Sequence, residues 1–284
     1  MATGAPPATG PKVAGYRLLR RIGQGSHGTV HLAQDERLGS TVALKIVPLP
    51  AGSEAPAAAA AFLRGAEAAR RLHHPGIVFL HAAGVDGPLA WLAMEAVPGT
   101  DLSRYTVPAR RLPELLVVRT IERVARALDH AHRQGVVHRD VKPANVLVDW
   151  PTAVVKLADF GLARVDDGLQ TGTGIVPGSP AYMAPEQLAG AVPTPRSDLY
   201  GLGVTLYQLL TATLPYDGAS MGALLRQVAE APVPDLRVLL PQAPLALAGL
   251  SSRLLAKRAA DRPPDAASVA QELARVAQAW PAVG

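Results

Sequence analysis

The chain has 284 residues, which is long enough for one large domain or two smaller lobes. It contains no cysteine, which excludes a disulfide framework, a thiolate metal site and a cysteine nucleophile and favours a cytoplasmic location. The formal net charge is +5, but the basic residues are spread along the chain and aromatic residues make up only 4%, so no nucleic-acid partner is predicted. No stretch is apolar over the ~18 residues that a membrane span requires, so no membrane-spanning segment is expected.

The first third of the chain predicts a small lobe rich in β-structure. Residues 1–15 are small residues with Pro and Gly and predict a flexible leader. From Tyr16 to Val47, three strand-like segments separated by glycine-containing turns predict an antiparallel meander. An Ala-rich helix is expected over about residues 56–72, and "IVFLHAAGV" and "LAWLAMEAV" around "DGP" predict a hairpin. These elements give a first lobe of five strands and one helix, over residues 16–97.

The remainder predicts a larger, mainly helical lobe over residues 98–278, followed by a short tail, residues 279–284. Apolar residues recur every three or four positions between Pro113 and Gln134, where Gly135 ends the helix. Two further helices are predicted, from Asp198 to Leu210 and from about Asp265 to Trp280. The fold class is therefore α+β with two lobes.

A glycine-rich segment, "IGQGSHGTV", lies between two predicted strands and spaces Gly23, Gly25 and Gly28 as GxGxxG. A dinucleotide site would require the third glycine to begin a helix, whereas glycines in a strand-turn-strand allow the backbone to lie close over phosphate oxygens. A simple glycine-rich hairpin turn explains the same pattern. Lys45 in "VALK" lies on the third strand and is a candidate phosphate ligand, although a lysine on a strand is usually exposed to solvent.

The segment "VVHRDVKPANVLV" places three polar residues in one loop between two apolar segments. Asp140 can accept a hydroxyl proton, Lys142 can neutralise phosphate charge, and the carboxamide oxygen of Asn145 can bind a hard cation. Further along, "KLADFGLA" adds Asp159 as a second oxygen ligand. It is followed by Phe160, which is expected to pack, and Gly161, which permits a backbone turn.

This series of motifs resembles the protein kinases, and specifically the bacterial branch that is similar to eukaryotic serine/threonine kinases (Hanks type). The resemblance covers about residues 16–278 and rests on "GQGSHGTV", "VALK", "HRDVKPAN", "DFG", "GSPAYMAPE", "SDLYGLGVTLYQLLTATLPY" and "DRPPDAASV", in this order. It implies a two-lobed fold that binds MgATP in the cleft between the lobes. It also implies transfer of the γ-phosphate to Ser or Thr hydroxyls of protein substrates.

By position in those motifs, the resemblance implies that Asp140 is the catalytic base, that Lys142 steadies the γ-phosphate and that Lys45 holds the α and β phosphates. The cofactors would be ATP and Mg²⁺ or Mn²⁺, and Asn145 and Asp159 would hold the metal. The residues expected around ATP are Ile22, Gly23, Gln24, Gly25, Ser26, Gly28, Val30, Ala43, Lys45, Met94, Glu95, Val97 and Leu147.

Within that set, "AMEAVPGTDL" is similar to the hinge, with Met94 as gatekeeper and the backbones of Glu95 and Val97 facing adenine. The apolar side chains expected to enclose the purine are also explained by ordinary core packing. They are Ile22, Val30, Ala43 and Leu147.

In the second lobe, the resemblance implies an ion pair between Glu186 of "APE" and Arg262 of "DRPP", with Asp198 supporting the catalytic loop. Thr171 and Thr173 lie in a glycine-rich segment, and the hypothesis is that one or the other is autophosphorylated and that its phosphate pairs with Arg139. Plain loop threonines remain the alternative at both positions.

One position departs from the family pattern. The family places a glutamate nine residues before the His of the "HP" step, and nine residues before His74 is Gly65. Glu67 is two residues further on, which is ~200° around a helix. Either Gly65 occupies the glutamate position and Lys45 lacks that partner, or the helix is shifted and Glu67 reaches Lys45. Because "RRLHHPGIV" matches without a gap, the first alternative is favoured.

The departure keeps a second class of function open, a low-activity kinase or pseudokinase that acts as a nucleotide-binding scaffold. The presence of Asp140, Asn145 and Asp159 favours an active enzyme over that alternative. A small-molecule phosphotransferase is disfavoured by "APE" and Lys142, which are typical of enzymes with protein substrates. The resemblance also allows a transient homodimer through the first lobe, for which the sequence has no pattern of its own.

Overall fold

In a computed structural model of the protein, which describes residues 12–25, 28–160 and 179–280, the chain divides into two units. The described residues of the first unit lie within Met1–Arg70 and Phe79–Val97. Those of the second lie within Arg71–Val78 and Pro98–Gly284. The α+β architecture predicted from the sequence is confirmed, with strands concentrated in the first unit and helices in the second.

The first unit contains a six-stranded antiparallel sheet in the order β1-β2-β3-β4-β6-β5. The meander and the hairpin predicted from the sequence are both present in this sheet. Its strands are β1 (Lys12–Val13), β2 (Tyr16–Gly25), β3 (Gly28–Asp35), β4 (Thr41–Pro48), β5 (Leu80–Asp86) and β6 (Leu89–Glu95).

The core of the first unit lies on one face of the central strands. Val42, Leu44 and Ile46 alternate along β4 and pack with Ala33 and Tyr16. This spacing of two follows from the strand geometry, which points alternate side chains to opposite faces. The two faces of β4 are both buried but differ in chemistry, and a slip of one residue would place Lys45 in this apolar core, which disfavours any other register between β3 and β6.

The first strand was not predicted, because residues 1–15 were expected to be a leader. Lys12 and Val13 pair with Arg17 and Tyr16 in an antiparallel hairpin, so the sheet begins before Tyr16. The turn between them uses positive φ angles at Ala14 (51°) and Gly15 (86°). A non-glycine residue rarely adopts this conformation, so Ala14 gives no turn signal in the sequence.

Helix α1 (Ala55–Arg70) belongs to the first unit, but the segment after it does not. Residues 71–78 join the second unit, which corrects the single boundary expected at residue 97. The Leu157 N–H donates to Gly76 O at 2.8 Å, and the Val78 N–H donates to Leu157 O at 2.9 Å. These bonds attach the segment to strand β9 of the second unit, and Ile77 and Val78 are therefore not part of β5 as predicted.

The second unit combines seven helices with a three-stranded sheet in the order β7-β8-β9, as far as the described residues show. The three long predicted helices are present, whereas the four shorter ones were not predicted. The helices are α2 (Glu114–Arg133), α3 (Pro185–Leu188), α4 (Pro195–Thr211), α5 (Met221–Glu230), α6 (Leu236–Leu239), α7 (Leu245–Leu254) and α8 (Ala266–Gln278); the strands are β7 (Thr100–Asp101), β8 (Val146–Asp149) and β9 (Val154–Leu157).

Helix α4 is buried on all sides from Ser197 to Leu210, except at Gln208. A helix that is apolar all round is expected at the centre of a helical core, and α2 and α7 pack against it. Gly203 permits the contact with α7, since a Cβ there would lie 2.7 Å from the Cβ of Leu254. Among the described helices, none has the length and hydropathy required to cross a membrane.

The N-terminus of α8 gives a test of this packing. The Asp265 Oδ1 accepts the Ser268 N–H at 2.7 Å and caps a helix that packs against α2. We expect Asp265→Ala to lower the free energy of unfolding by about 1 kcal/mol, because the helix N-terminus loses its acceptor. Asp265→Asn retains an acceptor and should lose far less. The measurement is urea unfolding followed by circular dichroism, and equal losses in both variants would contradict the role of the cap.

Candidate active site

The loop that carries Asp140 joins α2 to β8 in the second unit, and its backbone is held by Asp198 of α4. The Asp198 carboxylate accepts the N–H of His138 at 2.8 Å and the N–H of Arg139 at 2.7 Å. His132 of α2 lies 2.8 Å from the same carboxylate through its Nε2. Arg139 has a φ of 74°, a left-handed conformation that a non-glycine residue adopts only when its surroundings impose it. The loop is therefore fixed immediately before Asp140.

Asp140, Lys142 and Asn145 converge as the sequence predicted. The Lys142 Nζ lies 2.6 Å from Asp140 Oδ2, and the Asn145 Nδ2 donates to the same oxygen at 3.1 Å and to the Asp140 carbonyl at 2.8 Å. Lys142 also donates to Ser179 Oγ at 3.1 Å. Among the described residues, the hydrogen bonds and the ion pair at the Asp140 carboxylate all involve Oδ2. Its second oxygen, Oδ1, is therefore left to accept a further hydrogen bond.

Asp159 follows the end of β9, next to Asn145. The Ala158 N–H donates to the Asn145 carbonyl at 2.8 Å, which ties the residue before Asp159 to the loop. Asp159 itself has a φ of 66°, so the chain turns sharply at this residue. Phe160 is buried and its ring packs edge-on against His138, with the centroids 4.6 Å apart. These contacts bring the two predicted metal ligands to the same part of the second unit.

The glycine-rich segment of the first unit forms a hairpin in which Gly25 pairs with Gly28 across β2 and β3. At Gly28, which has a φ of 132°, a Cβ would lie 2.0 Å from the carbonyl oxygen of Ile46, so only glycine fits. A Cβ at Gly25 would meet no atom within 4 Å. Gly28 is therefore required by the approach to β4, whereas the backbone at Gly25 borders open space. Gln24 pairs with Thr29 in the same hairpin.

Lys45 lies on the central strand β4, between Val30 of β3 and Leu92 of β6. It is only 7% exposed, so the usual solvent-facing position of a strand lysine does not apply. Ala43 and Met94 pair across β4 and β6 and are both buried. Ile22 differs from them because it is 44% exposed, so core packing does not explain this apolar residue.

The remaining residues predicted to contact the nucleotide are partly buried. They are Val30, Glu95 and Val97 in the first unit and Leu147 of β8 in the second. The Glu95 N–H donates to Phe79 O at 2.8 Å, so this N–H is already hydrogen-bonded within the first unit.

Gly65 lies on the buried face of α1, together with Phe62, Ala66 and Ala69. Glu67 is on the exposed face, where its carboxylate lies 3.5 Å from Arg70. The helix runs without interruption from Ala55 to Arg70, so the alternative in which a shifted helix turns Glu67 toward Lys45 is wrong. The inward position expected for a glutamate is occupied by Gly65.

Glu186 and Arg262 form a bidentate ion pair, as the sequence predicted. The two distances are 2.7 and 2.8 Å, and Ser197 Oγ also donates to Glu186 at 2.8 Å. The Arg262 guanidinium is buried and donates in addition to the carbonyl groups of Arg196, Ala256 and Lys257. Burial alone would raise the pKa of Glu186, but the hydrogen bonds and charge of Arg262 outweigh it and hold this pKa below its usual value.

Three contacting residues were missed by the sequence analysis. Ser179 was quoted only as part of "GSPAYMAPE", and His132 only as part of a helix. Gln187 joins two segments, because its Nε2 donates to Arg139 O at 3.2 Å and its Oε1 accepts the Ala184 N–H at 3.0 Å. Each of these side chains makes a contact across a large sequence separation, to Lys142, Asp198 or Arg139, and no local pattern marks such contacts.

Four predicted residues lie outside the described part of the chain. Two are Ser26 of the glycine-rich segment and Gly161 after Phe160. The others are the hypothesised phosphorylation sites, Thr171 and Thr173.

Comparisons with known proteins identify the family to which the chain is similar. A family model described as "Protein kinase domain" matches residues 16–272. The serine/threonine-protein kinase pkn3 of Myxococcus xanthus is 39% identical over 274 residues, which cover 92% of this chain and 50% of pkn3. PknJ of Mycobacterium tuberculosis is 41% identical over 227 residues, covering 78% of this chain and 38% of PknJ. PrkC of Bacillus subtilis is 33% identical over 250 residues, covering 87% of this chain and 38% of PrkC.

The chain thus spans half or less of the length of these three curated relatives. Among solved structures, Rad53 residues 1–466 in complex with AMP-PNP matches with a TM-score of 0.76 and 25% identity. The match covers 91% of this chain and 64% of the Rad53 chain.

The Glu186–Arg262 pair predicts a pH dependence of stability. The pKa of Glu186 is lower in the folded chain than its ordinary value of 4.5, so the pair stabilises the fold above that value, and this stabilisation is lost as the pH falls through the folded-state pKa. We expect Glu186→Gln to lower the free energy of unfolding at pH 7 by about 2 to 3 kcal/mol, because Arg262 would remain buried without a counter-charge. The difference from wild type should shrink below pH 4.5.

The measurement is chemical unfolding at a series of pH values. Glu272→Gln is the control, since Glu272 pairs with Arg253 where both side chains are partly exposed. It should change stability by less than about 1 kcal/mol. A deficit of Glu186→Gln that stayed constant down to pH 3 would contradict the assignment.

Proposed function

The chain belongs to the protein kinase domain family, and we propose on this basis that it transfers the γ-phosphate of ATP to Ser and Thr hydroxyls of protein substrates. The observation that carries the proposal is the convergence of Lys142 and Asn145 on one oxygen of Asp140. It is supported by the names of the relatives, which are serine/threonine-protein kinases.

In the proposed reaction, Asp140 Oδ1 accepts the proton of a substrate hydroxyl. The O–H bond breaks as the hydroxyl oxygen forms a bond to the γ-phosphorus, and the bond from that phosphorus to the β-phosphate oxygen breaks, so ADP leaves. Lys142 supplies a positive charge beside the transferring group. Asn145 holds the Asp140 carboxylate in place, which is the kind of positioning on which phosphoryl transfer mainly depends.

ATP is the proposed phosphate donor, and features of the first unit are suited to bind its phosphates. The buried cation of Lys45 and the open space beside Gly25 fit a polyphosphate. Because the Glu95 N–H is hydrogen-bonded to Phe79, contact of Glu95 with adenine falls to its carbonyl group. The AMP-PNP in the Rad53 complex supports a nucleoside triphosphate as the ligand of this chain.

A divalent cation, with Mg²⁺ as the proposed ion, fits the residues at Asn145 and Asp159. The side-chain amide nitrogen of Asn145 donates both of its hydrogen bonds to Asp140. The side-chain oxygen, Oδ1, is therefore the group available to a hard cation. Among the described residues there is no cluster of three or more His, Asp or Glu side chains that would hold a metal alone. The phosphate oxygens would therefore complete the coordination, and the ion would supply charge neutralisation during transfer.

The Gly65 position supports a second candidate, a low-activity or inactive nucleotide-binding scaffold. Glutamate in that position normally fixes the strand lysine, and here the buried face of α1 presents Gly65 instead. The two candidates differ in whether phosphate is transferred, since both bind ATP.

A phosphate-transfer assay separates these two candidates. We expect the wild type to transfer radiolabelled γ-phosphate to itself and to a basic protein, and Asp140→Asn to lose at least about 100-fold in rate because the proton acceptor is removed. Binding of ATP, measured by isothermal titration, should stay within about threefold of the wild type. Asp217→Asn, a change of the same kind at an exposed loop position, serves as the control and should retain full activity. Nucleotide binding by a wild type that transfers no phosphate would favour the scaffold.

A further prediction concerns Gly65, at the inward position of α1. Gly65→Glu should raise kcat several-fold if the missing carboxylate limits activity, because it restores a negative charge on the buried face of α1. Gly65→Gln is the matched control, since it adds the same bulk and the same gain in helix propensity without charge. Glu67→Ala should leave kcat unchanged, because Glu67 faces solvent. An equal or lower rate in Gly65→Glu would contradict the limiting role of this position.

A further inference from the structure

A groove on the helical unit lies between α2, α8 and the turn that joins β8 to β9. It consists of two cavities of about 310 and 330 Å³ that share Arg119 and Arg123 of α2 as lining residues. The first cavity is bordered by Ala274, Ala277 and Gln278 of α8, and the second by Trp150, Ala153 and Val155 of the β8–β9 region. No residue of the groove takes part in the proposed phosphate transfer.

The charge of the groove is positive. Arg119 and Arg123 are separated by one helical turn and both are exposed. Arg123 donates a hydrogen bond to the Ala153 carbonyl, which holds its guanidinium beside the β8–β9 turn. Of the described residues that line the two cavities, only Glu122 is acidic, and it forms an ion pair with Arg126 on its own helix. The two arginines therefore set the charge that a ligand meets.

The second cavity has an apolar wall that is already fixed in place. The Trp150 indole N–H donates to the Tyr105 hydroxyl at 2.8 Å, and the two rings pack edge-on with centroids 5.8 Å apart. The hydroxyl of Thr120 is also hydrogen-bonded, to the Leu116 carbonyl at 2.7 Å. Because these polar groups have partners, polar recognition in the second cavity falls to the arginines. A ligand that fits would combine negative charge with a bulky apolar group.

We propose that this groove binds an extended acidic segment with bulky apolar side chains in the protein substrates of the kinase. Two cavities joined through a pair of arginines fit an elongated chain better than a single small anion, since each cavity alone reaches the size of a small-molecule site. Arginine recognises carboxylates in bidentate geometry, and the apolar wall beside it accepts a large side chain. The proposal rests on the proposed function only in assigning the segment to a substrate.

Direct binding tests the proposal without reference to catalysis. The probe is a fluorescein-labelled peptide of about a dozen residues, rich in Glu and carrying two Phe residues, and anisotropy gives its Kd. Matched peptides carry Lys in place of every Glu or Ala in place of both Phe residues. We expect the Glu/Phe peptide to bind most tightly, and we expect its affinity to fall as salt is raised.

Variants of the protein locate the binding. Arg119→Glu with Arg123→Glu should weaken binding of the Glu/Phe peptide at least about tenfold, since attraction becomes repulsion. Arg133→Glu is the control, because Arg133 is exposed on the same helix, pairs with Asp129 and does not line the groove. It should bind the peptide like the wild type. Binding should also change the emission of Trp150, and this change should be absent in Trp150→Phe.

Equal binding of the Glu-rich and Lys-rich peptides, or undiminished binding by the double variant, would overturn the proposal. Thermal melting monitored by circular dichroism checks that the double variant is folded. In a kinase assay, fusion of the Glu/Phe segment to a serine-containing substrate should lower KM without changing kcat. This effect should be seen with the wild type and be absent in the double variant that lacks Arg119 and Arg123. Absence of all phosphate transfer would count against the proposed function, while the anisotropy titration would still decide whether the groove binds the segment.

Discussion

The geometry of the candidate active site depends on one buried carboxylate, that of Asp198. A buried carboxylate is costly unless hydrogen bonds satisfy it, and here the partners are two consecutive backbone N–H groups, of His138 and Arg139, together with His132 Nε2. The same bonds hold Arg139 in a left-handed conformation that costs about 1 to 3 kcal/mol. Asp140 follows directly, so a residue of α4 holds the backbone immediately before the candidate catalytic side chain. Because α4 is buried on nearly all sides, the anchor itself has little freedom to move.

From this anchor, the order of the site extends through backbone and side-chain bonds of the second unit. Asn145 fixes the carboxylate of Asp140 through its side-chain amide. Its backbone carbonyl accepts the N–H of Ala158, the residue before Asp159. The proposed proton acceptor and the proposed metal ligands are therefore positioned by a single network. In the first unit the corresponding constraint is steric, because Gly28 approaches the β4 backbone more closely than any side chain would allow.

The sequence predicted those parts of the fold that depend on local patterns. Helices α2, α4 and α8 are long, and the apolar residues of α2 and α8 recur at helical spacing, whereas Gly87 marks the hairpin between β5 and β6. Helices α5 and α6 were missed because they are short and begin at caps, Ser220 and Asp235, that are equally common in turns. The attachment of residues 71–78 to β9 and the bridging amide of Gln187 join distant segments, and no periodicity in the sequence encodes such contacts. For α1, counting residues placed Gly65 correctly on the inward face. Only the exposed position of Glu67 in the structure excluded the alternative, a shifted helix in which Glu67 reaches Lys45.

Arg262 illustrates how a single side chain can restrict which sequences fold in this way. Its five N–H groups each have an acceptor, two on Glu186 and one each on the carbonyl groups of Ala256, Lys257 and Arg196. A lysine offers three donors at one point and no planar fork, so it could replace at most three of these five hydrogen bonds. Position 262 is thus limited to arginine by the number and direction of its donors, and its charge alone would not be sufficient. Replacement of Arg262 by lysine, which is usually counted as conservative, would therefore not be conservative at this position.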